Sequence, residues 1–201
     1  MRVAWILLSA SAGCGFQAHA PADEEAAPVP DAGFDAASCP ASYDITFPAP
    51  SSSRYRLIAA GHAAWTQSDA CAADLSGATH LAVLETQDEL DRVTALVAAP
   101  TTVLAGNAIW VGAVQQPAAT LPDGGWLWLD DTAVISGWGG GEPNDRNGQE
   151  NQEEQFARIE KTKLYLQDSA GSGNNSALCE CDGKPIAPAA AAAIAANRPA
   201  S

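Results

Sequence analysis

Gly139-Gly140-Gly141-Glu142-Pro143-Asn144-Asp145 is the stretch on which the reading of this chain turns. Three glycines lead into a carboxylate, a proline and an amide. No helix or strand interior holds that glycine content around a central proline, so the stretch is a loop. Trp138 precedes it, and Glu150, Glu153 and Glu154 follow. Side-chain oxygens are thus crowded into a short span, which is what a hard cation such as calcium requires.

The segments on either side predict the frame that carries the loop. Upstream, Trp126-Leu127-Trp128-Leu129 reads as a strand entered through the turn residues Asp123-Gly124-Gly125, and Ala108 to Val114 is a β-like apolar run. Downstream, Phe156 to Ile159 and Leu164 to Leu166 read as strands joined by a hairpin turn at Lys161-Thr162-Lys163, and Ser176 to Cys181 is the last strand. The first half is different. Tyr55 to Ala59 alternates as a strand, and Ala63 to Leu75 reads as a helix with Trp65, Ala72 and Leu75 near one face and Cys71 beside them. Leu81 to Leu84 is a short extended run. Thr86-Gln87-Asp88-Glu89 is a capping box opening a second helix, which turns Leu90, Val93 and Val97 inward and stops before Pro100. Helices first, short strands after, and an irregular span from about Gln115 to Glu154 make an α+β domain with a long loop, a length that points to function or disorder.

Composition narrows the function classes. The chain has 201 residues, with 24 Asp and Glu against 10 Lys and Arg. That balance excludes nucleic acid and anionic membrane surfaces as partners and suits a cation. No apolar run is long enough to span a bilayer, so a membrane is reached only through a lipid anchor. Residues 1–20 read as a signal peptide with two competing cleavage sites. Ser11-Ala12-Gly13-Cys14 resembles a bacterial lipobox, with lipidation of Cys14, and Ala18-His19-Ala20 is an ordinary small-x-small site. The lipobox is the favoured one, which places the protein on a bacterial outer membrane or cell surface; cleavage after Ala20 makes it periplasmic or secreted. Residues 15–38, acidic and rich in Pro and Ala, read as a disordered linker, and 185–201, mostly alanine, as a disordered tail. The domain is 39–184. With Cys14 set aside, Cys39, Cys71, Cys179 and Cys181 form two disulfides in one of three connectivities.

The ordered set of motifs resembles the C-type lectin-like domain. Trp65 and Cys71 match the family's first helix. Trp110-Val111-Gly112-Ala113 matches its W-I-G-L strand, Trp138 to Asn144 its W-x-x-G-E-P-N loop, and Cys179-Glu180 its closing C-E. Leu166-Gln167-Asp168 stands where the family has W-N-D. The resemblance implies two helices, two small antiparallel sheets and a long ligand-binding loop. It also implies a Cys71–Cys179 bond, which leaves Cys39 to pair with Cys181. The family's second disulfide, across the loop base, would fall near Gln155 and Gly171 and is missing as a unit.

The resemblance further implies a calcium ion held by Glu142, Asn144, Glu153 and Asp168, with Gln167 in place of the family's Asn and Glu150 as a substitute for Glu153. The Glu142–Pro143 bond is then cis. Two adjacent sugar hydroxyls would complete the metal shell on Glu142, Asn144, Glu153 and Asp168, and the order Glu then Asn is associated with mannose, glucose, N-acetylglucosamine or fucose. The expected function is calcium-dependent binding of glycans or glycoconjugates by an exported, tethered lectin domain. The alternative is a calcium-independent domain of the same fold with a protein ligand or a structural role. No G-x-S-x-G or H-E-x-x-H motif occurs, and the chain is not expected to be an enzyme.

Overall fold

The computed structural model describes residues 38–47, 53–148 and 150–199. The stretches expected to be a signal peptide with lipidation at Cys14, and the expected linker up to residue 37, lie outside the described residues. Four helices and eight strands follow in the order β1 (Ile45–Thr46), β2 (Arg54–His62), α1 (Ala64–Asp74), β3 (Thr79–Leu81), α2 (Gln87–Ala98), β4 (Ala108–Gln115), β5 (Trp126–Trp128), the one-turn α3 (Asp145–Gly148), β6 (Phe156–Glu160), β7 (Leu166–Ser169), β8 (Asn175–Cys181) and α4 (Pro188–Ala196).

The helices start where local chemistry puts them. In α2 the Thr86 side chain accepts from the Glu89 N–H and the Glu89 carboxylate accepts from the Thr86 N–H, closing the capping box. A cap of this kind is worth about 0.5–2 kcal/mol. Leu90, Val93 and Val97 are its buried face. In α1 the inward residues are Ala64, Gln67, Ser68 and Cys71, not the predicted Trp65, Ala72 and Leu75, which are only half-buried. A polar inward face is tolerated because Gln67 Nε2 donates to the carbonyls of Ala60 (2.7 Å) and Asn175 (3.1 Å).

The strands do not separate into two antiparallel sheets as expected. They form one hydrogen-bonded sheet in the order β1-β2-β8-β4-β6-β7, with β3 added to β8 and β5 to β4. The join is the parallel pairing of β4 with β8, Ile109 opposite Ser176 and Trp110 opposite Ala177; every other pair is antiparallel. Both central strands are buried along their whole length, which explains why Ala108 to Val114 reads as an unbroken apolar run. Cys71–Cys179 ties α1 to β8, and Cys39–Cys181 ties the start of the described domain to the end of the same strand.

The C-terminal segment corrects the sequence expectation. Residues 185–201 were expected to be a disordered tail, but Pro188–Ala196 is a helix with Ala190, Ala193 and Ile194 buried. The spacing i, i+3, i+4 is one helical face, and small side chains let it sit close to β4. Its first amides are capped from a distance: Asp131 Oδ1 accepts from the Ala190 N–H (2.8 Å) and Oδ2 from the Ala189 N–H (3.2 Å). Alanine supplies the helix propensity, and the domain surface supplies the face to dock on.

Candidate functional site

The glycine loop is bound to β7 before it reaches Glu142. The Leu166 N–H donates to the Gly137 carbonyl (2.8 Å), and the Gly139 N–H donates to the Leu166 carbonyl (3.2 Å). Gly139 is required by contact: a Cβ there would lie 2.1 Å from the Tyr165 ring. Trp138 stands edge-on to Trp126 with ring centroids 4.8 Å apart, so it anchors the base of the loop rather than offering an open face. The Glu142–Pro143 peptide bond is cis.

Four of the five predicted metal-ligating residues come together. Glu142 Oε2 accepts from Asn144 Nδ2, and Glu142 Oε1 accepts from Gln167 Nε2 (3.1 Å). Asp168 Oδ2 accepts the backbone N–H of Asn144 (2.9 Å) and of Asp145 (2.6 Å). Loop and strand therefore present Glu142, Asn144, Gln167 and Asp168 to one another. Two oxygens of this group, Gln167 Oε1 and Asp168 Oδ1, are buried and have no hydrogen-bond partner. Burial, and then the neighbouring Glu142 carboxylate, push Asp168 up to about 7 against the opposing pull of the Asp145 and Asn144 amides.

Glu153 is not in this group. Its backbone N–H donates to Asp145 Oδ1, while its exposed side chain lines a groove with Trp65, Phe156 and Ala196. The acid that interacts with the cluster is Glu154, raised by burial and then by the charges of Asp145 and Glu142, and itself raising Asp168. Glu150, the substitute ligand, is taken up elsewhere: its carboxylate accepts from Gln115 Nε2 (2.8 Å) and from the backbone and side chain of Gln152 (3.0 and 2.8 Å).

Sequence reasoning passed over Asp145, which organises the loop. It is 1% exposed. Oδ1 accepts from the Glu153 and Glu154 amides (3.1 and 3.0 Å), Oδ2 accepts from the Asn151 amide, and its own amide is held by Asp168. A carboxylate placed at the head of the tight Asp145–Gly148 turn is the signal that would have marked it. The loop base, with Gln155 and Gly171 where the sequence resemblance would place a second disulfide, is tightly packed. Gly171 lies so near Trp65 and Phe156 that a Cβ would come within 2.5 to 2.7 Å of their rings.

The donor set fits a hard cation in kind. Two carboxylates and two amides offer oxygens, two of those oxygens are buried without a partner, and acidic groups crowd one another, with the charge of Arg146 acting on Glu154 beside them. Calcium accepts such mixed oxygen ligands. Among the described residues no three His, Cys, Asp or Glu side chains converge as a metal cage.

Solved structures show the same fold. The chain is similar to the cow C-type carbohydrate-recognition domain of CD23 in the presence of GlcNAc2Man3 oligosaccharide, at 20% identity and a TM-score of 0.53, over 75% of this chain and 98% of that one. It is similar to the mouse scavenger receptor C-type lectin carbohydrate-recognition domain at 17% identity and a TM-score of 0.56, over 72% of this chain and 98% of that one. It is also similar to a calcium-independent type II antifreeze protein, at 18% identity and a TM-score of 0.54, over 72% of this chain and 94% of that one. No protein-family model matches the sequence, and no curated protein matches it significantly. The chain has the C-type lectin-like fold.

Proposed function

We propose that this domain binds carbohydrate through a calcium ion held by Glu142, Asn144, Gln167 and Asp168. The observation that carries the reading is the convergence of these four side chains from the glycine loop and β7, with Gln167 Oε1 and Asp168 Oδ1 buried and unpaired. Calcium, when bound, would offset the crowded carboxylates and offer open coordination positions to two adjacent hydroxyls. The chain's own contribution is to orient the donors: Asn144 and Asp145 amides fix Asp168, and Glu142 is held from both sides by amides. Glu142 and Asn144 can also accept from and donate to the sugar hydroxyls. Glu153 keeps a place in the proposal only if loop residues 150–154 rearrange on binding; Glu154 is the acid on which the charges of Asp145 and Glu142 act. The Glu-Pro-Asn order favours mannose, glucose, N-acetylglucosamine or fucose, and binding at about millimolar strength per site calls for multivalency. An exported chain, tethered at Cys14 or released after Ala20, is the setting in which such a module works.

One observation favours the calcium-independent alternative. Glu142 already receives both the Asn144 and the Gln167 amide, so the loop can close on itself without metal. Thermal unfolding in millimolar calcium and in chelator separates the two. A ligand at a hundredfold over its dissociation constant that binds only the folded form adds about 2.7 kcal/mol. The calcium reading expects a clear rise in Tm that chelator reverses; identical curves leave the protein-ligand alternative.

A further inference from the structure

The helix at the C-terminus is linked to the loop that carries the candidate site by hydrogen bonds that meet at Gln115. At its far end Asn197 Nδ2 donates to the Gln115 carbonyl (3.1 Å). Gln115 is 1% exposed and sits where β4 gives way to the long loop. Its N–H donates to the Gln155 carbonyl (3.0 Å), its Oε1 accepts from Gln155 Nε2 (3.2 Å), and its Nε2 is within hydrogen-bonding distance of Glu150 Oε2 (2.8 Å) and the carbonyls of Leu121, Pro122 and Gly124. Two loop arms, 121–124 and 150–155, thus close on one amide side chain. From there the backbone of the second arm brings the amides of 151, 153 and 154 to Asp145, and the Asp145 amide reaches Asp168.

We infer that α4 is a brace for the long loop, and that Asn197 and Gln115 are positioning residues that hold Asp145 and Asp168 in register with Glu142. The helix is fixed at both ends, by Asp131 on its first amides and by Asn197 on Gln115, with Ala190, Ala193 and Ile194 docked between. An element held at both ends and docked on a buried strand is able to restrain the 150–155 arm, which carries no apolar side chain of its own. The exposed Arg198–Asp69 pair (2.8 Å) adds little by comparison. The consequence for ligand affinity rests on the calcium reading above; the restraint itself does not.

Amide hydrogen exchange in the calcium-free full-length protein tests it, with Asn197→Ala to cut the contact to Gln115 and Ala193→Asp to undock the helix by burying a charge. Exchange at residues 150–155 should rise about fivefold or more in both variants, while residues 177–180 of β8 keep their rates. Unchanged loop exchange overturns the brace. Equal acceleration of loop and β8 also overturns it, because α4 would then stabilise only the whole domain. If wild type responds to calcium, Asn197→Ala should weaken binding by about threefold or more through lost preorganisation. If wild type does not respond, the metal reading fails while the exchange result still decides the brace.

Discussion

The backbone amide of Asp145 donates to Asp168 Oδ2 over 2.6 Å, and with the Asn144 amide on the same oxygen it fastens the end of the glycine loop to β7. Asp145 in turn collects the amides of residues 151, 153 and 154 on its own carboxylate. One buried acid therefore relays the position of the loop's return arm to the acid that faces Glu142.

Replacing Asp145 by alanine should cost roughly 2–3 kcal/mol, since it strands three amides that now share a charged acceptor. Urea unfolding of wild type and variant measures it. A loss below about 0.5 kcal/mol, the range of surface substitutions, would mean that the loop amides find other partners.

Gln167 stands one methylene longer than the family's Asn. Gln167→Asn should tighten calcium binding severalfold if the four-residue site is the binding site, because the amide oxygen then retracts toward the position the shorter side chain supplies. Titration calorimetry with calcium reads the change. Weaker or equal binding would show that Gln167 is not a ligand.

Sugar preference should follow Glu142 and Asn144. The double change Glu142→Gln with Asn144→Asp exchanges the acceptor and donor sides presented to the hydroxyl pair. A glycan array should then shift from mannose-type ligands toward galactose-type ones. The same profile in both proteins would place sugar binding elsewhere.

His80 carries a pH dependence. Its ring is 2% exposed, with Nδ1 facing the Leu81 carbonyl (2.8 Å) and Nε2 facing Asp182 Oδ1 (3.1 Å), so both nitrogens face acceptors and the imidazolium satisfies both. Burial alone would lower its pKa, but the Asp182 hydrogen bond and the charges of Glu180 and Asp182 outweigh it and raise the pKa above the ordinary 6.5. A raised histidine pKa gives stability that is complete below 6.5 and is lost as pH climbs through the folded-state value. Asp182 is pulled below its ordinary 3.8 by His80 despite its burial, so it stays charged over the range in which His80 titrates. Wild type should therefore exceed His80→Gln in unfolding free energy by more at pH 5.5 than at pH 8.5. A difference independent of pH would mean that His80 stays neutral.

Several features were legible in the residues alone, and each is local or covalent. The Thr86–Glu89 capping box, the inward Leu90, Val93 and Val97, the glycine loop before Glu142 and the even set of four cysteines depend on neighbours a few positions away or on residue chemistry. What the tertiary structure decided depends on surfaces made by distant segments. Glu153 and Glu154 are adjacent and chemically alike, and only the folded loop leaves Glu153 exposed and Glu154 half-buried, where the charges of Asp145 and Glu142 act on it. Gln115 reads as the end of an apolar strand until two loop arms fold over its amide. The alanine tail has helix propensity but no amphipathic signal, since Ala190 and Ala193 look like Ala191 and Ala192. It becomes an ordered element only because Asp131, remote in sequence, caps it and β4 offers a surface that small side chains can approach.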